Sequence, residues 1–441
     1  MSGRLLRQEG RSYFIFVAMK KFIFRVLIVG IVLMVGPFLY LKNELQVPET
    51  VYYPVPAHKA FPFQSVDTMK YSRDLSREKL KNESFDKVID AQIAAIAETG
   101  ATHVAIATPY DEEFFPFLER WVVTARKYHL HVWFRGNWSG WEKWFDYKSI
   151  TREEHQRKTE EFILRHKDIF QDGDVFSSCP ECENGGPGDP RQTGDVVGYR
   201  QFLIAEYQAM REAFRHINKD VRANFFSMNG DVARLIMNKE TTQALGGIVV
   251  IDHYVKTPEK LAQDVIEIAE QSGGHVVLGE VGAPILDIHG TMSDAEQAQW
   301  LNKAMQLLYG TGKVVGVNYW LSVGGATEIW RRDNTPKEAV AVLGGYFKPL
   351  FASGFVKDEL GKPLKGVTVK YNQKTQQTDA HGYFEVLIPV GLNKADIHFE
   401  KSGYQNGAVK LTQSSPKMDV TLERTTKDLH FRVLQFLKGW L

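Results

Sequence analysis

Two glutamates carry the chemistry this chain can offer. Glu181 lies in Asp174-Val-Phe-Ser-Ser-Cys-Pro-Glu-Cys-Glu-Asn-Gly185, a short apolar strand that opens into an acidic, glycine-bounded loop. Glu280 ends a second apolar strand, in His275-Val-Val-Leu-Gly-Glu-Val-Gly-Ala-Pro284. Two carboxylates facing each other over a pocket suit cleavage of an acetal. One, kept protonated by its surroundings, gives a proton to the leaving oxygen, and the other attacks the anomeric carbon or activates water. Alternate strand residues point to opposite faces. That parity puts Ser177, Cys179 and Glu181 on one face, and Val276, Leu278 and Glu280 on one face. Glu183 shares the parity but lies past Pro180, further into the loop, so Glu181 is the better candidate.

The chain's two cysteines, Cys179 and Cys182, flank Glu181. A structural zinc needs four ligands, and no second pair exists. A thioredoxin-like motif needs a helix starting at the first Cys, whereas Cys179 follows a strand. A tight local disulfide and two inert thiols remain. No cluster of histidines with a carboxylate suggests a catalytic metal, and no cofactor is expected.

Both glutamates need a scaffold, and the chain between 63 and 349 supplies a repeating one. Apolar strands are expected at 64–69, 102–108, 131–136, 174–179, 222–227, 247–253, 275–279 and 314–320. Amphipathic helical patterns lie between them, at 84–99, 114–128, 152–166, 199–216, 258–271 and 293–309, with a weaker one at 231–245. Ser293-Asp-Ala-Glu296 is a capping box. Eight strands, each followed by a helix, are the count of an α/β (β/α)8 (TIM) barrel. A doubly wound sheet would show a Gly-rich phosphate loop after its first strand, and none follows Met69. A barrel places its site at the carboxyl ends of the strands. Those ends offer Asp67, Lys70 and Arg73; Thr108, Tyr110 and Asp111; Arg135, Asn137 and Trp138; Glu181; Ser227 and Asn229; Asp252, His253 and Tyr254; Glu280; and Asn318, Tyr319 and Trp320. The loop Asn137-Trp-Ser-Gly-Trp-Glu-Lys-Trp144 holds three Trp outside any helical face. It reads as a sugar-stacking surface over the pocket mouth or as a small hydrophobic cluster under a long loop.

The flanks read differently. Residues 22–41 are apolar but for Arg25, long enough for a membrane-spanning helix. Basic residues precede them, so 1–21 is expected in the cytoplasm and the rest outside it, periplasmic or extracellular. Residues 42–62 form a Pro-containing linker. Residues 350–424 show period-two strands broken by Gly and Asp, the pattern of a small all-β sandwich. Residues 425–441 form an amphipathic helix. The formal charge of +1 gives no field that would point to nucleic acid.

The barrel resembles glycoside hydrolase clan A, which includes the family five cellulases and mannanases. In that clan the acid/base Glu ends strand four, the nucleophile Glu ends strand seven and an aromatic ends strand eight. Here Glu181, Glu280 and Trp320 match those places, Gly279-Glu-Val-Gly282 resembles the nucleophile run, and Asn318-Tyr-Trp320 resembles the strand-eight ending. The resemblance implies a retaining hydrolase of a polysaccharide or glycoconjugate, with carbohydrate as its partner; the membrane is expected as a second partner through the helix at 22–41. The expected binding set is Arg135, Asn137, Trp138, Asn229, His253, Tyr254, Asn318 and Trp320. Pro180 stands where the clan keeps an Asn that bonds the sugar 2-hydroxyl. Asn137, Asn184 or Asn229 could replace that donor, and a barrel that binds sugar without turnover is the alternative. Gly354-x-Val-x-Asp358, Gly382-Tyr-Phe384 and Gly403-Tyr404 resemble the carboxypeptidase regulatory-like, transthyretin-like domain.

Overall fold

Strands buried on both faces read as near-continuous apolar runs, and the barrel is built of such runs. The computed structural model describes residues 60–186, 188–371, 374–388, 396–410, 418–426 and 435. The chain divides into two compact units, a barrel that runs to Leu350 and a β unit from Phe351. The barrel strands are β1 (Phe63–Asp67), β2 (His103–Ile106), β3 (His131–Phe134), β4 (Val175–Phe176), β5 (Ser227–Asn229), β6 (Ile248–Asp252), β7 (His275–Val281) and β8 (Val314–Tyr319). They pair in the order β4-β3-β2-β1-β8-β7-β6-β5, and the ladders are parallel. Arg222 closes the ring: it bridges Val175 in parallel, with Phe176 N–H on its carbonyl at 2.8 Å and its own N–H on Asp174 at 2.9 Å. The result is the expected (β/α)8 barrel. The stretch expected as one fifth strand is divided, its start bonded to β4 and its end to β6.

The interior is packed. Phe63, Ala105, Trp133, Val175, Phe225, Val250 and Val277 form one buried cluster drawn from around the ring. β8 contributes a glycine to this level. A Cβ on Gly316 would lie 3.0 Å from Phe63 and 3.1 Å from Val277, so this gap is what admits the Phe63 ring.

The helices follow their sequence patterns. Phe115–Lys127 buries Phe117, Leu118, Trp121, Val122 and Ala125 on one stripe. The Ser293–Glu296 capping box forms as expected ahead of Asp294–Thr311. The weak pattern at 231–245 is two helices, Gly230–Ile236 and Lys239–Ala244. The break falls where Asn238 caps the second helix, accepting from Thr241 N–H.

Strand seven corrects the parity argument. Val277, not Val276 or Leu278, faces the barrel interior. Ile251 pairs with Leu278 but Asp252 pairs with Glu280, so the register slips at Gly279. That bulge turns Glu280 inward, two-against-one, after Val277. A Cβ on Gly279 would lie 2.3 Å from Asp252 Oδ1, which explains the glycine.

In the second unit, β9 (Leu350–Asp358), β12 (Tyr383–Ile388) and β15 (Val420–Leu422) form one sheet. β10 (Thr368–Tyr371), β11 (Lys374–Gln377), β13 (Asp396–Glu400) and β14 (Gly407–Lys410) form another. Alternate residues of both, among them Val356, Phe384, Val420, Val369, Ile397 and Phe399, share one buried apolar core, as in a sandwich. Among the described residues no helix is long and apolar enough to cross a membrane. The expected anchor at 22–41, its cytoplasmic flank and most of the linker and of the C-terminal helix lie outside the described residues.

Candidate active site

A cavity of about 160 Å³ opens at the carboxyl ends of the strands, lined by Arg135, Asn137, Glu142, Trp144, Glu181 and Glu280 among others. At its base one guanidinium holds three carboxylates. Arg135, which follows β3, is buried, and its Nη1 donates to Asp67 at the end of β1 and to Glu280 Oε1 at 3.0 Å. Its Nη2 donates to Asp252 Oδ2 at 3.0 Å and to Ser227 Oγ at 3.1 Å. Strands one, three, five, six and seven are thereby tied together by one side chain. Burying three carboxylates round one cation leaves an excess of negative charge, and their ionisation responds. Burial and the Glu280 charge push Asp252 well above the usual carboxylate range, against the pull of Arg135.

Glu280 is held at both oxygens. Oε1 accepts from Arg135, and Oε2 accepts from the Tyr254 hydroxyl at 2.8 Å. Burial pushes its carboxyl up to about 7. Arg135 and Tyr254 pull it down, and Glu181 and Asp67 add to the rise. A carboxylate fixed in this way, with its charge poised near neutral pH, suits a nucleophile or base.

Glu181 lines the same cavity. Asn184 Nδ2 donates to its Oε2 at 2.8 Å, and its N–H bonds Ser227 O at 2.8 Å. Burial, then the charge of Glu183, raises its pKa. Its backbone is left-handed, with φ 48° and ψ 51°, a conformation that costs a residue other than Gly, Asn or Asp about 1–2 kcal/mol. A strained backbone under a raised carboxyl gives a clear expectation. Glu181→Asn should raise unfolding stability by about 1 kcal/mol while lowering turnover at least about 100-fold. Urea melts and initial rates measured on the same preparation check both halves. Glu183, the rival carboxylate, is turned away: its Oε1 accepts from Asn229 N–H at 2.7 Å and from Nδ2 at 3.0 Å.

Cys179 and Cys182 are joined as a disulfide, the first of the two expectations. It closes a four-residue ring that contains Glu181, so its constraint on the unfolded chain is small, about 2 kcal/mol. The double change Cys179→Ser, Cys182→Ser should therefore lower stability by no more than that. It should leave turnover within about threefold, because neither sulfur supplies electrons to the chemistry. A thiol oxidoreductase would instead lose all activity.

The remaining expected binding residues divide. Arg135 and Asn137 line the cavity, and Tyr254 reaches Glu280. Trp320 is half-buried, edge-on to Tyr254 at 5.8 Å between centroids, and its indole N–H has no partner among the described residues. Trp138 is a correction. It is buried beside Tyr110 and Phe162, and its N–H donates to Thr159 at 3.1 Å. Trp141 is buried too, stacked on Phe202. Of the three-Trp surface only Trp144 lines the cavity, under the Arg73 guanidinium at 4.3 Å. Asn318 is buried and spends its amide on Asp67 and Gly279 O. His253 turns to Asp264 at 2.9 Å. His253 and Asn229 line a separate, wider recess of about 660 Å³ that also touches Asp252 and Tyr254. Asp67 and Asp252 were visible as strand ends without a role. Glu142 was missed, because a loop residue has no periodicity to mark it; its only signal was a carboxylate inside the Trp-rich run.

No protein-family model matches the chain, and no curated protein does. Solved structures similar to it include glycosidases. One is a β-glucuronidase of Bacteroides uniformis, at 10% identity and TM-score 0.45, covering 83% of this chain and 46% of that one. Another is the GH5_18 protein of Bifidobacterium longum, at 14% identity and TM-score 0.49, covering 68% and 84%. A third is an exo-β-1,4-mannosidase from Opitutaceae bacterium strain TAV5, at 11% and 0.49, covering 69% and 62%. The chain spans about half the length of the first of these. These are distant likenesses, and the barrel rests on its own closed ladder.

Proposed function

We propose that the barrel hydrolyses an O-glycosidic bond of a polysaccharide or glycoconjugate with retention at the anomeric carbon. Glu280 is the nucleophile and Glu181 the acid/base. The observation that carries this reading is that both carboxyls line one cavity at the carboxyl ends of the strands, with Glu280 oriented by Arg135 and Tyr254. In the first step a Glu280 oxygen bonds the anomeric carbon, and the Glu181 proton goes to the departing glycosidic oxygen as that bond breaks. In the second, Glu181 takes a proton from water, whose oxygen attacks the anomeric carbon and releases the Glu280 carboxylate. Arg135 and Tyr254 favour that release, because both donate to the carboxylate form.

One feature favours a second reading, a barrel that binds sugar without cleaving it. Pro180 lines the cavity at the position where an amide donor would grip the sugar. Incubation with a panel of polysaccharides, with the anomer of the first product read by proton NMR, separates the two. Cleavage with retention supports the hydrolase, and binding without any cleavage supports the second reading. Anchoring by residues 22–41, with the barrel outside the cytoplasm, belongs to the same proposal, and protease access to the barrel in intact cells tests it.

A further inference from the structure

The cavity holds a third carboxyl that the two-glutamate mechanism does not use. Glu142 lines it in the loop after β3, and a buried chain of side chains fixes its position. Asn137 Oδ1 accepts the backbone N–H of Trp138 at 2.8 Å, which identifies that atom as the oxygen. Asn137 Nδ2 therefore faces Glu142 Oε1, at 2.6 Å. His155 Nε2, 3.1 Å from the same Oδ1, must be the donor there, and its Nδ1 meets Glu206 Oε1 at 2.9 Å. Asn137, His155 and Glu206 are all buried. Three buried groups thus aim one carboxyl into the cavity. Its other oxygen has no partner among the described residues, and no cation there lies within ion-pair distance of it.

The charges around the cavity are unequal. Glu142, Glu181 and Glu280, with Asp67 and Asp252 beneath them, stand against two guanidiniums, Arg135 and Arg73. Arg135 is consumed by three of the five, and Arg73 is exposed over Trp144. A carboxylated sugar would add a further negative charge to carboxyls that burial and their neighbours already push toward the protonated form, and a neutral one would not relieve that crowding. An ammonium would satisfy the free oxygen of Glu142 and offset the crowding.

We infer that the cavity receives a sugar bearing a free amino group, held as an ammonium by Glu142. This rests on the reading of the cavity as a sugar site and names the class of sugar. Binding is linked to protons. Burial holds the Glu142 carboxyl up at about 7, with Asn137 and Arg73 pulling down and Glu183 adding to the rise. A bound ammonium favours the charged carboxylate, so binding at pH 6.5 releases protons.

The test uses full-length protein carrying Glu280→Gln, so that no oligosaccharide is consumed. Calorimetric titration at pH 6.5, in two buffers of different ionisation enthalpy, compares tetrasaccharides of glucosamine, N-acetylglucosamine and galacturonate. The expected result is binding of the glucosamine oligomer at least about tenfold tighter than either of the others, with proton release. Adding Glu142→Gln should remove the preference and the release, and Glu142→Asp should leave an intermediate preference. Equal or tighter binding of the acetylated or acidic oligomer, an unchanged preference in Glu142→Gln, or no binding of any of the three overturns the inference. Failure here is distinguishable from failure of the hydrolase reading. Wild-type cleavage of neutral glycans without an amine preference sinks only the inference, and amine-selective binding without cleavage sinks only the hydrolase.

Discussion

Glu280→Gln is expected to lower turnover at least about 10³-fold while leaving the barrel folded. The amide keeps the shape of the side chain but cannot form the glycosyl ester. It also cannot accept from both Arg135 and Tyr254, which now hold one carboxylate oxygen each. The effect on stability has a definite sign. The folded carboxyl sits at about 7, against an ordinary glutamate value of 4.5. A raised folded pKa means the native state holds the proton more tightly than the unfolded chain. The stability this contributes is present below about 4.5 and is lost as pH rises through about 7. Wild type should therefore lose stability relative to Glu280→Gln between those values, by an amount on the order of a few kcal/mol. Urea melts of the two proteins at pH 4.5 and pH 8 measure this, and parallel melts at both would contradict the assigned shift. Activity has the complementary dependence. A nucleophile must be ionised, so the acid limb of the rate profile should fall as pH drops below about 7.

The second large effect belongs to Arg135→Met. The change keeps an apolar stem and removes the only cation among the described residues that touches Asp67, Asp252 and Glu280. Three buried carboxylates without a counter-charge should cost about 3–5 kcal/mol. Without the guanidinium the raised Asp252 and Glu280 carboxyls rise further, so the loss should be larger at pH 8 than at pH 5. Turnover should fall as well, because Glu280 Oε1 loses its donor. Arg135→Lys supplies a point charge without the fork that reaches four partners, and should recover only part of the stability and little of the activity. Chemical denaturation at the two pH values checks the sign. Equal losses at both would mean that packing, not charge, is what Arg135 supplies.

The barrel was legible because its strands carry the period and the spacing that a closed parallel sheet demands. The parity argument grouped Glu280 with Val276 and Leu278, whereas the strand brings it inward after Val277. A bulge at Gly279 is invisible to a period-two reading, since nothing in Leu278-Gly-Glu280 says which residue is skipped. Glu181 was legible as a strand-end carboxylate, but its left-handed backbone and the partners of Glu183 depend on how the loop folds back on β5. Trp138 and Trp141 were read as possible sugar surface because a loop carries no burial pattern. Trp138 finds Thr159 and Phe162, and Trp141 finds His155 and Phe202, across tens of residues. The Arg135 cluster shows the same limit. Each acid stood at a strand end, but only closure of the ring brings β1, β6 and β7 onto one guanidinium.

The central claim is that Glu280 becomes covalently bonded to sugar. The direct measurement is mass spectrometry of full-length protein after incubation with 2-deoxy-2-fluoro glycosyl fluorides, followed by peptide mapping. Slowed hydrolysis of the ester should leave one added glycosyl mass, on the peptide that contains Glu280, and Glu280→Gln should show none. An adduct on Glu181 instead, or hydrolysis with inversion and no adduct on any peptide, would contradict the account.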